Sequence, residues 1–208
     1  MCAILGFTSP SLKKEQVLPY FEKTKSRGPD DTRLEPAGSG MLGFHRLAIM
    51  GLHPEGMQPF HRGGDMAVCN GELYGFRPVK KALEAKGYVF ASDSDCEIIL
   101  PLWQEYGTEM FAGLDAEFAM IIYDSASDSL VAARDPIGIR PLFYGYLADG
   151  SIIFASEAKN LVGLCTHVFP FPPGHYYKDG KFVRYTDLTT VTRYSSDDLD
   201  TVTKKIRE

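Results

Sequence analysis

The sequence lacks any apolar run of the roughly 20 residues needed to cross a bilayer, and its start lacks the pattern of a secretory signal. Cysteine is also scarce, since Cys2, Cys69, Cys96 and Cys165 are scattered without a C-x-x-C pair. Thiols spaced in this way, in a chain without such a signal, are expected to stay reduced. These absences predict a cytoplasmic protein without a membrane partner.

Positive charge is scarce as well. The 22 Lys and Arg residues are outnumbered by 27 Asp and Glu residues, for a net charge of -5, which argues against nucleic acid as the main partner. The five histidines show no metal-ligand spacing, so no metal site is expected. The sequence also contains no glycine-rich pyrophosphate-binding loop.

What is present is an ordinary globular composition, with 44% hydrophobic residues, 20 Gly and 13 Pro. The many turn residues favour a β-rich fold. Apolar periodicity and capping signals predict helices at 12–25, 77–86 and 94–106. Strands are predicted at 41–50, 65–69, 118–124, 129–134, 142–147 and 151–155, the last four as an antiparallel meander, with a hairpin at 175–185. The residues from 186 onward are polar, and 195–208 predicts the beginning of a helix.

The most unusual feature is Cys2, which directly follows the initiator methionine and begins an apolar run. If Met1 is removed, Cys2 carries both a thiol and a free α-amine. An α-amine has a pKa of about 7.7–8.0, so it can act as a base beside its own nucleophile. The alternative is a small buried residue at the start of a core strand, and this stretch alone favours that alternative.

Three further motifs have an ordinary structural interpretation beside a functional one. Arg46 interrupts an apolar strand, so it either emerges at the strand end or faces a buried anion. Asn70 and Gly71 form the dipeptide typical of a tight hairpin. Asp95 lies in a Ser-x-x-Glu capping box at 94–97, where an acidic residue is favoured by the helix dipole.

Taken together, these motifs resemble the class II glutamine amidotransferase domain, and most closely the glutaminase half of asparagine synthetases. Each motif alone is weak, but their order behind a cysteine at position 2 is specific. The matching segments are Met-Cys at 1–2, Arg-Gly-Pro-Asp at 27–30, His-Arg-Leu-Ala-Ile at 45–49, Asn-Gly-Glu-Leu-Tyr at 70–74, Ser-Asp-Cys-Glu at 94–97, residues 134–142, and Ala-Ser-Glu at 155–157. With this resemblance, Cys2 is interpreted as a nucleophile and no longer as a small buried residue of a core strand.

The resemblance implies an α+β fold, a four-layer αββα sandwich of two antiparallel sheets known as the Ntn-hydrolase fold. It assigns residues 1–190 to a glutaminase domain. Residues 191–208 are then a polar linker or the beginning of a synthetase-type domain. The implied activity is hydrolysis of glutamine to glutamate and ammonia through a γ-glutamyl thioester on Cys2.

The resemblance also implies roles for individual residues. Cys2 is the nucleophile, and the Asn70 side chain with the Gly71 N–H forms the oxyanion hole. Arg46 binds the α-carboxylate of glutamine and Asp95 binds its α-ammonium group. The implied substrate site also includes the backbone of Leu47, Ile49 and Met50, which follow Arg46, and the carboxylate of Glu72. For Glu72, ligand contact and simple exposure stay equally open, whereas Arg134, Asp135 and Arg140 are interpreted mainly as structural.

The implied partner is an ammonia-accepting synthetase domain, in the same chain or in a separate subunit. The glutaminase domain needs no cofactor, and ATP with magnesium enters only if that synthetase domain exists. Assembly into a homodimer stays open. Residues 135–141 are similar to the phosphoribosyl-pyrophosphate amidotransferase form of the domain, and Ala3 and Gly75 replace the usual Gly and Asn.

Those differences leave other interpretations open. The chain is alternatively the glutaminase domain of a phosphoribosyl-pyrophosphate amidotransferase, or a glutamine-binding regulatory module without catalysis. An N-terminal-nucleophile hydrolase of another amide is disfavoured by the pairing of Arg46 with Asp95, because such charges are of no use to a substrate without an amino-acid head.

Overall fold

The structure, a computed structural model, describes residues 1–191 and 193–208. Its twelve strands form two six-stranded antiparallel sheets. The strands are β1 (Ala3–Thr8), β2 (Asp31–Ala37), β3 (Gly40–Arg46), β4 (Phe60–Arg62), β5 (Asp65–Leu73), β6 (Ala116–Asp124), β7 (Ser129–Arg134), β8 (Phe143–Tyr146), β9 (Ile152–Ala155), β10 (Val168–Pro170), β11 (His175–Lys178) and β12 (Lys181–Arg184). The helices are α1 (Lys14–Phe21), α2 (Phe76–Ala85), α3 (Ile99–Tyr106) and α4 (Leu199–Arg207).

The two sheets lie face to face with helices on their outer surfaces. The first sheet has the strand order β10-β8-β9-β1-β3-β2, and the second has the order β12-β11-β7-β6-β5-β4. Leu42 and Phe44 of the first sheet pack against Val68 and Ile121 of the second in a buried cluster between the sheets. The α+β sandwich of two antiparallel sheets is therefore confirmed.

The alternation of side chains along each strand supplies the outer layers. In β6, Ile121 points between the sheets, whereas Met120 and Ile122 pack on the outer side with residues of α3. On the first sheet, Leu5 of β1 packs with Phe21 of α1 in a separate outer cluster. Three buried clusters thus separate the four layers, and the site lies where β1 and β5 face each other.

The predicted meander is wrong in one respect. The four predicted strands exist as β6 to β9, but β6 pairs with β7 in the second sheet and β8 pairs with β9 in the first. The chain changes sheets between Arg134 and Phe143. Pro136 and Pro141 lie in that segment, and a proline has no N–H with which to continue a ladder.

Two of the predicted helices are shorter than expected. The helix expected at 12–25 is α1 followed by a 3₁₀ helix at Glu22–Arg27, and Pro19 lies inside α1. The helix expected at 94–106 begins as a 3₁₀ helix at Asp95–Ile98 before α3. The strand expected at 41–50 is β3, which ends at Arg46, and residues 47–50 lie outside the sheet.

Beyond β12 the chain leaves the sandwich. Asp198 caps α4 by accepting a hydrogen bond from the Thr201 N–H at 2.8 Å, and no residue of α4 is buried. The boundary at residue 190 stays a prediction. No helix in the described ranges is long and apolar enough to cross a bilayer. Within the same ranges, no group of three or more His, Cys, Asp and Glu side chains is placed to hold a metal ion.

Candidate active site

Cys2 is held at the start of the central strand of the first sheet. Its carbonyl oxygen accepts a hydrogen bond from Arg27 Nε at 3.0 Å, and Arg27 Nη1 forms an ion pair with Glu157 at 2.8 Å. Two residues later, the Ile4 N–H donates to Ser156 Oγ at 2.9 Å. The segments at 27–30 and 155–157 therefore fix the chain terminus from both sides, which gives those two motifs a physical role.

The Cys2 sulfur lies against the chain just after β3. The Leu47 N–H donates to Sγ at 3.3 Å, and Sγ lies 3.6 Å from the Leu47 carbonyl oxygen. Burial raises the pKa of the Cys2 thiol, although the Leu47 hydrogen bond and the positive charges of the amino terminus and Arg46 act in the opposite direction. A thiol with a raised pKa is protonated at neutral pH, so its reaction as a nucleophile requires a base.

Asn70 and Gly71 lie within a continuous strand, so the hairpin interpretation of this dipeptide is wrong. Strand β5 runs through both residues, with Asn70 opposite Ala119 and Gly71 opposite Phe118 of β6. The pairing with β6, which runs over eight residues from Met66 to Leu73, overrides the local turn preference. Asn70 is 2% exposed, and in the part of the chain that the structure describes its Nδ2 has no hydrogen-bond partner.

The Gly71 N–H faces away from β6. Phe118, the residue opposite, donates its N–H to the Asp135 carboxylate and accepts at its carbonyl from the Asp135 N–H, so the Phe118 and Gly71 backbone groups point to opposite sides. Strand β4 pairs with β5 only as far as Ala67, which leaves the edge of β5 open at Gly71. A Cβ on Gly71 would lie 2.6 Å from the Glu117 carbonyl oxygen, so only glycine fits here.

One side chain from a loop and one from the 3₁₀ helix Asp95–Ile98 close the edge of β5 on either side of Gly71. The Gln58 side-chain amide accepts from the Cys69 N–H at 2.6 Å and donates to the Cys69 carbonyl at 3.2 Å. The Asp95 carboxylate accepts from the Leu73 N–H at 2.7 Å. The open position between these two bonds faces the cavity described below.

Arg46 lies at the end of β3 with its guanidinium among carbonyl oxygens. It is 7% exposed, and Nη2 donates to the carbonyl oxygens of Gly51 and His53. No ion pair of Arg46 with a carboxylate occurs among residues 1–191 and 193–208. Arg46 is thus the last residue of β3, the first of the two predicted alternatives, and no carboxylate of the described chain pairs with it.

The predicted capping box at 94–97 is not formed. Ser94 makes no side-chain capping bond to the helix that follows it. The Glu97 carboxylate instead accepts from the backbone N–H groups of Ala91 and Ser92, at 2.6 and 2.8 Å. Glu97 thus closes the preceding loop, while Asp95, only 5% exposed, is directed at the end of β5.

All of the predicted site residues line one cavity of about 110 Å³. They are Cys2, Arg46, Leu47, Ile49, Met50, Asn70, Gly71, Glu72 and Asp95. The cavity places a thiol, an unpaired amide donor, a guanidinium and a carboxylate around one small volume. That combination matches a zwitterionic ligand with an electrophilic carbon.

A sequence profile of the glutamine amidotransferase domain matches residues 1–175. The chain belongs to this class II amidotransferase family. It is 38% identical over 194 residues to a probable glutamine-hydrolysing asparagine synthetase of Dictyostelium discoideum, covering 89% of this chain and 35% of the relative. A glutamine-hydrolysing asparagine synthetase of Sandersonia aurantiaca is 39% identical over 188 residues, again covering 88% of this chain and 35% of the relative. The chain thus spans about a third of the length of these relatives.

Solved structures agree on the fold. Glutamine phosphoribosylpyrophosphate amidotransferase from B. subtilis, complexed with ADP and GMP, matches with a TM-score of 0.69 and 20% identity, over 89% of this chain and 49% of that one. An allosteric regulatory enzyme of purine biosynthesis matches with a TM-score of 0.71 and 20% identity, over 92% of this chain and 50% of that one. At this identity the likeness establishes the shared sandwich alone.

In this amidotransferase domain, sequence reasoning missed several cavity residues. These are Met1, Phe44, Gly56, Gln58, Ser94, Cys69, Cys96 and Arg140. No local sequence pattern marks Gln58 as a site residue, because its role is to bond the open edge of β5 at Cys69, eleven residues away. Arg140 was interpreted as structural, yet it lines the cavity beside Met1 and forms an ion pair with Glu117. The available signal was the presence of two arginines, Arg134 and Arg140, within the segment 134–141.

The rest of that segment of the amidotransferase domain is held by partly buried hydrogen bonds. The Asp135 carboxylate accepts from five backbone N–H groups, those of Phe118, Ile137, Gly138, Ile139 and Arg140. Arg134 donates to the carbonyl oxygens of Gly138, Arg140 and Phe171. These bonds give Arg134 and Asp135 a structural function and place the Arg140 side chain at the cavity wall.

Proposed function

We propose that this domain hydrolyses glutamine to glutamate and ammonia through a γ-glutamyl thioester on Cys2. The observation that carries the proposal is the single cavity in which the Cys2 thiol meets the unpaired, buried Asn70 amide. A buried polar group without a partner costs free energy, so it is expected where a ligand supplies the missing acceptor.

The proposed reaction begins with attack of Cys2 Sγ on the side-chain amide carbon of glutamine. The free α-amine of a chain that begins at Cys2 accepts the thiol proton, directly or through a water, and passes a proton to the departing nitrogen. Ammonia leaves and the thioester remains. Water then adds to the thioester carbon, releases glutamate and returns the thiol.

The negative charge that develops on the amide oxygen needs donors already in place. Asn70 Nδ2 is buried and unpaired among the described residues, and the Gly71 N–H faces the same cavity from the open edge of β5. Donors that need not reorient stabilise the oxyanion more than the neutral carbonyl, which lowers the barrier. The position of both donors on a strand rather than a loop supports this role.

The charges of the cavity suit the head of an amino acid. Arg46, oriented by the Gly51 and His53 carbonyls, would bind the α-carboxylate together with the backbone of 47–50. Asp95, held by the Leu73 N–H, would bind the α-ammonium group. Glu72 lines the same cavity and is exposed, so it adds negative charge at the mouth.

The ammonia acceptor proposed here is a synthetase domain of the asparagine synthetase type, in the same chain or in a separate subunit. The support is the 38% identity to a relative of which this chain spans 35%. ATP and magnesium would belong to that partner. Acceptance by a phosphoribosyl-pyrophosphate amidotransferase is supported by the shared fold alone. The proposed setting is the cytoplasm, where Cys2 stays reduced.

Release of ammonia and glutamate from glutamine tests the proposal, with protein shown by mass spectrometry to begin at Cys2. Turnover is expected, and Cys2→Ala is expected to abolish it while still binding glutamine. Protein that retains Met1 is expected to be silent, because an acylated nitrogen cannot accept a proton. Full turnover by the Met1 form would overturn the role of the amine. Binding without turnover by processed protein would replace the enzyme with a glutamine-binding module.

A further inference from the structure

A second and larger cavity lies on the helical side of the second sheet. It has a volume of about 480 Å³, within the range of about 300–1,000 Å³ that is usual for small-molecule sites. We call it the helix-side cavity. Its walls include Leu73, Ile98, Tyr106, Glu109, Met110, Gly113 and Asp115.

The interior of the helix-side cavity is apolar. Leu73, Ile98 and Met110 are at most 4% exposed, so the cavity reaches into the core layer between the second sheet and its helices. Protein interiors pack densely and have few voids larger than a water molecule. An opening of this size among core side chains is therefore suited to an apolar ligand.

The charged groups on its wall are all acidic. Glu109 and Asp115 are exposed, and neither carboxylate takes part in an ion pair within residues 1–191 and 193–208. Lys86, the cation near Tyr106, is engaged by Glu105. A ligand with an apolar body and a cationic head therefore complements both the apolar walls and the exposed carboxylates of Glu109 and Asp115.

The helix-side cavity shares two elements, β5 and the 3₁₀ helix Asp95–Ile98, with the active-site cavity that Cys2 and Asn70 line. Leu73 directly follows Glu72 at the end of β5, and its N–H donates to Asp95 at 2.7 Å. Ile98 lies in the same 3₁₀ helix as Asp95, Asp95–Ile98. A ligand in the helix-side cavity would thus contact Leu73, which bonds to the Asp95 carboxylate and lies two residues after Gly71, and Ile98, which shares a 3₁₀ helix with Asp95.

We propose that the helix-side cavity binds a small primary amine with an aromatic or branched aliphatic body, and that its occupancy changes the affinity of the other pocket for glutamine. The binding half of this inference stands on the cavity alone. The coupling half rests on the proposed function, and the experiment separates the two.

The probe for the binding half is 2-phenylethylamine, with 2-phenylethanol as a neutral control of the same shape. Titration calorimetry or ligand-observed NMR is expected to give a dissociation constant on the order of millimolar for the amine. The alcohol is expected to bind about threefold to fivefold more weakly, the ratio that an exposed ion pair supplies. Equal binding of both probes would overturn the assignment to an amine.

Variants locate the site. Gly113 lines the cavity, and a Cβ there would meet nothing within 4 Å, so Gly113→Leu adds a side chain to the wall without a clash at its first carbon. It is expected to abolish binding of both probes. Glu109→Gln with Asp115→Asn is expected to remove only the preference for the amine. Glu84→Gln, on the exposed side of α2, is the matched control and is expected to bind as the unmodified protein does. Binding unaffected by Gly113→Leu would overturn the site.

The coupling half is measured as glutamine affinity of the Cys2→Ala protein with and without saturating amine. A change of at least about twofold is expected, and glutamine is expected to change the affinity for the amine by the same factor. An unchanged affinity would overturn the coupling. A protein that binds the amine but no glutamine at all would instead contradict the proposed function and leave the helix-side cavity standing.

Discussion

At the scale of single residues, two buried asparagines show how the fold separates structure from function. Asn160 is 1% exposed, and its Nδ2 donates to the Tyr20 carbonyl at 2.8 Å and to Thr24 Oγ1 at 3.0 Å. Asn70 is 2% exposed, and its Nδ2 has no partner among the described residues. The fold uses the donor group of Asn160, although Oδ1 of that side chain has no partner among the described residues, whereas the donor group of Asn70 stays free for a ligand.

The two asparagines make a matched pair for mutation to alanine. Asn70→Ala is expected to lower kcat by about 10²–10³ because an oxyanion donor is lost, while the midpoint of thermal unfolding changes little. Asn160→Ala is expected to lower the free energy of unfolding by about 1–3 kcal/mol while kcat is kept. Steady-state kinetics and thermal melts on both proteins check this. A similar loss of kcat in both would contradict the role of Asn70.

Asp95 is expected to act on substrate affinity. Asp95→Asn keeps an oxygen for the Leu73 N–H but loses the negative charge that the proposed function assigns to binding of the α-ammonium group. A hydrogen bond to a charged group contributes about 1.5–3 kcal/mol, so KM for glutamine should rise about 10- to 100-fold with a much smaller change in kcat. Asp93→Asn, an exposed acid two positions away, is the control. Equal shifts in both variants would argue against a direct contact.

At the scale of elements, the open edge of β5 is the part of the fold that makes a site. Exposed strand edges invite pairing with other chains and are usually covered. Here Gln58 covers the edge at Cys69 and Asp95 covers it at Leu73. Because these are side chains and not a strand, the backbone group between them stays accessible. The site is thus a strand edge that is only partly closed.

The segment 134–141 is held in place as a unit by Asp135. Asp135→Ala would leave five N–H groups without their acceptor, all of them now bonded to one carboxylate. We expect a loss of about 3 kcal/mol or more in the free energy of unfolding, and a melting midpoint lower by roughly 6–12 °C. Asp200→Ala, on exposed α4, should change neither. A shift of less than about 1 kcal/mol for Asp135→Ala would contradict this account.

At the scale of the whole molecule, His45 links stability to pH. It is fully buried, stacks on Phe21 with centroids 3.8 Å apart, and has Nε2 3.0 Å from the Phe21 carbonyl and Nδ1 2.8 Å from Thr32 Oγ1. A carbonyl only accepts, so Nε2 carries the proton and Nδ1 accepts from the Thr32 hydroxyl. Burial lowers the pKa of His45 and favours this neutral form.

The sign of the pH dependence follows from that shift. Below the ordinary histidine pKa of about 6.5, the unfolded chain binds a proton that the folded chain resists, so stability is lost as pH falls from about 6.5 toward the lowered pKa. Urea unfolding between pH 7 and 5 should show a slope of at most about 1.4 kcal/mol per pH unit from this group. His45→Gln should lack that contribution, whereas the exposed His53→Gln should keep it. An unchanged slope in His45→Gln would contradict the assignment.

Local patterns were sufficient for much of the fold. Strands β6 and β7 and helix α2 lie within about two residues of their predicted bounds, because their apolar periodicity agrees with the layer they occupy. The edge strand β2 was not predicted, since its sequence includes Pro36 and exposed polar residues. The assignment of β8 and β9 to the other sheet depends on pairing with β1, which no local pattern contains.

The sequence by itself determined the family, the order of the motifs and the chemical types that meet in the cavity, because these are properties of residue identity and spacing. Only the tertiary structure decided that Asn70 and Gly71 are strand residues, that Gln58 closes the edge beside them, and that Asp95 bonds to the end of β5. Those outcomes depend on which backbone groups the opposite strand leaves unpaired. Contacts between residues far apart in the chain determine which of these backbone groups stay unpaired.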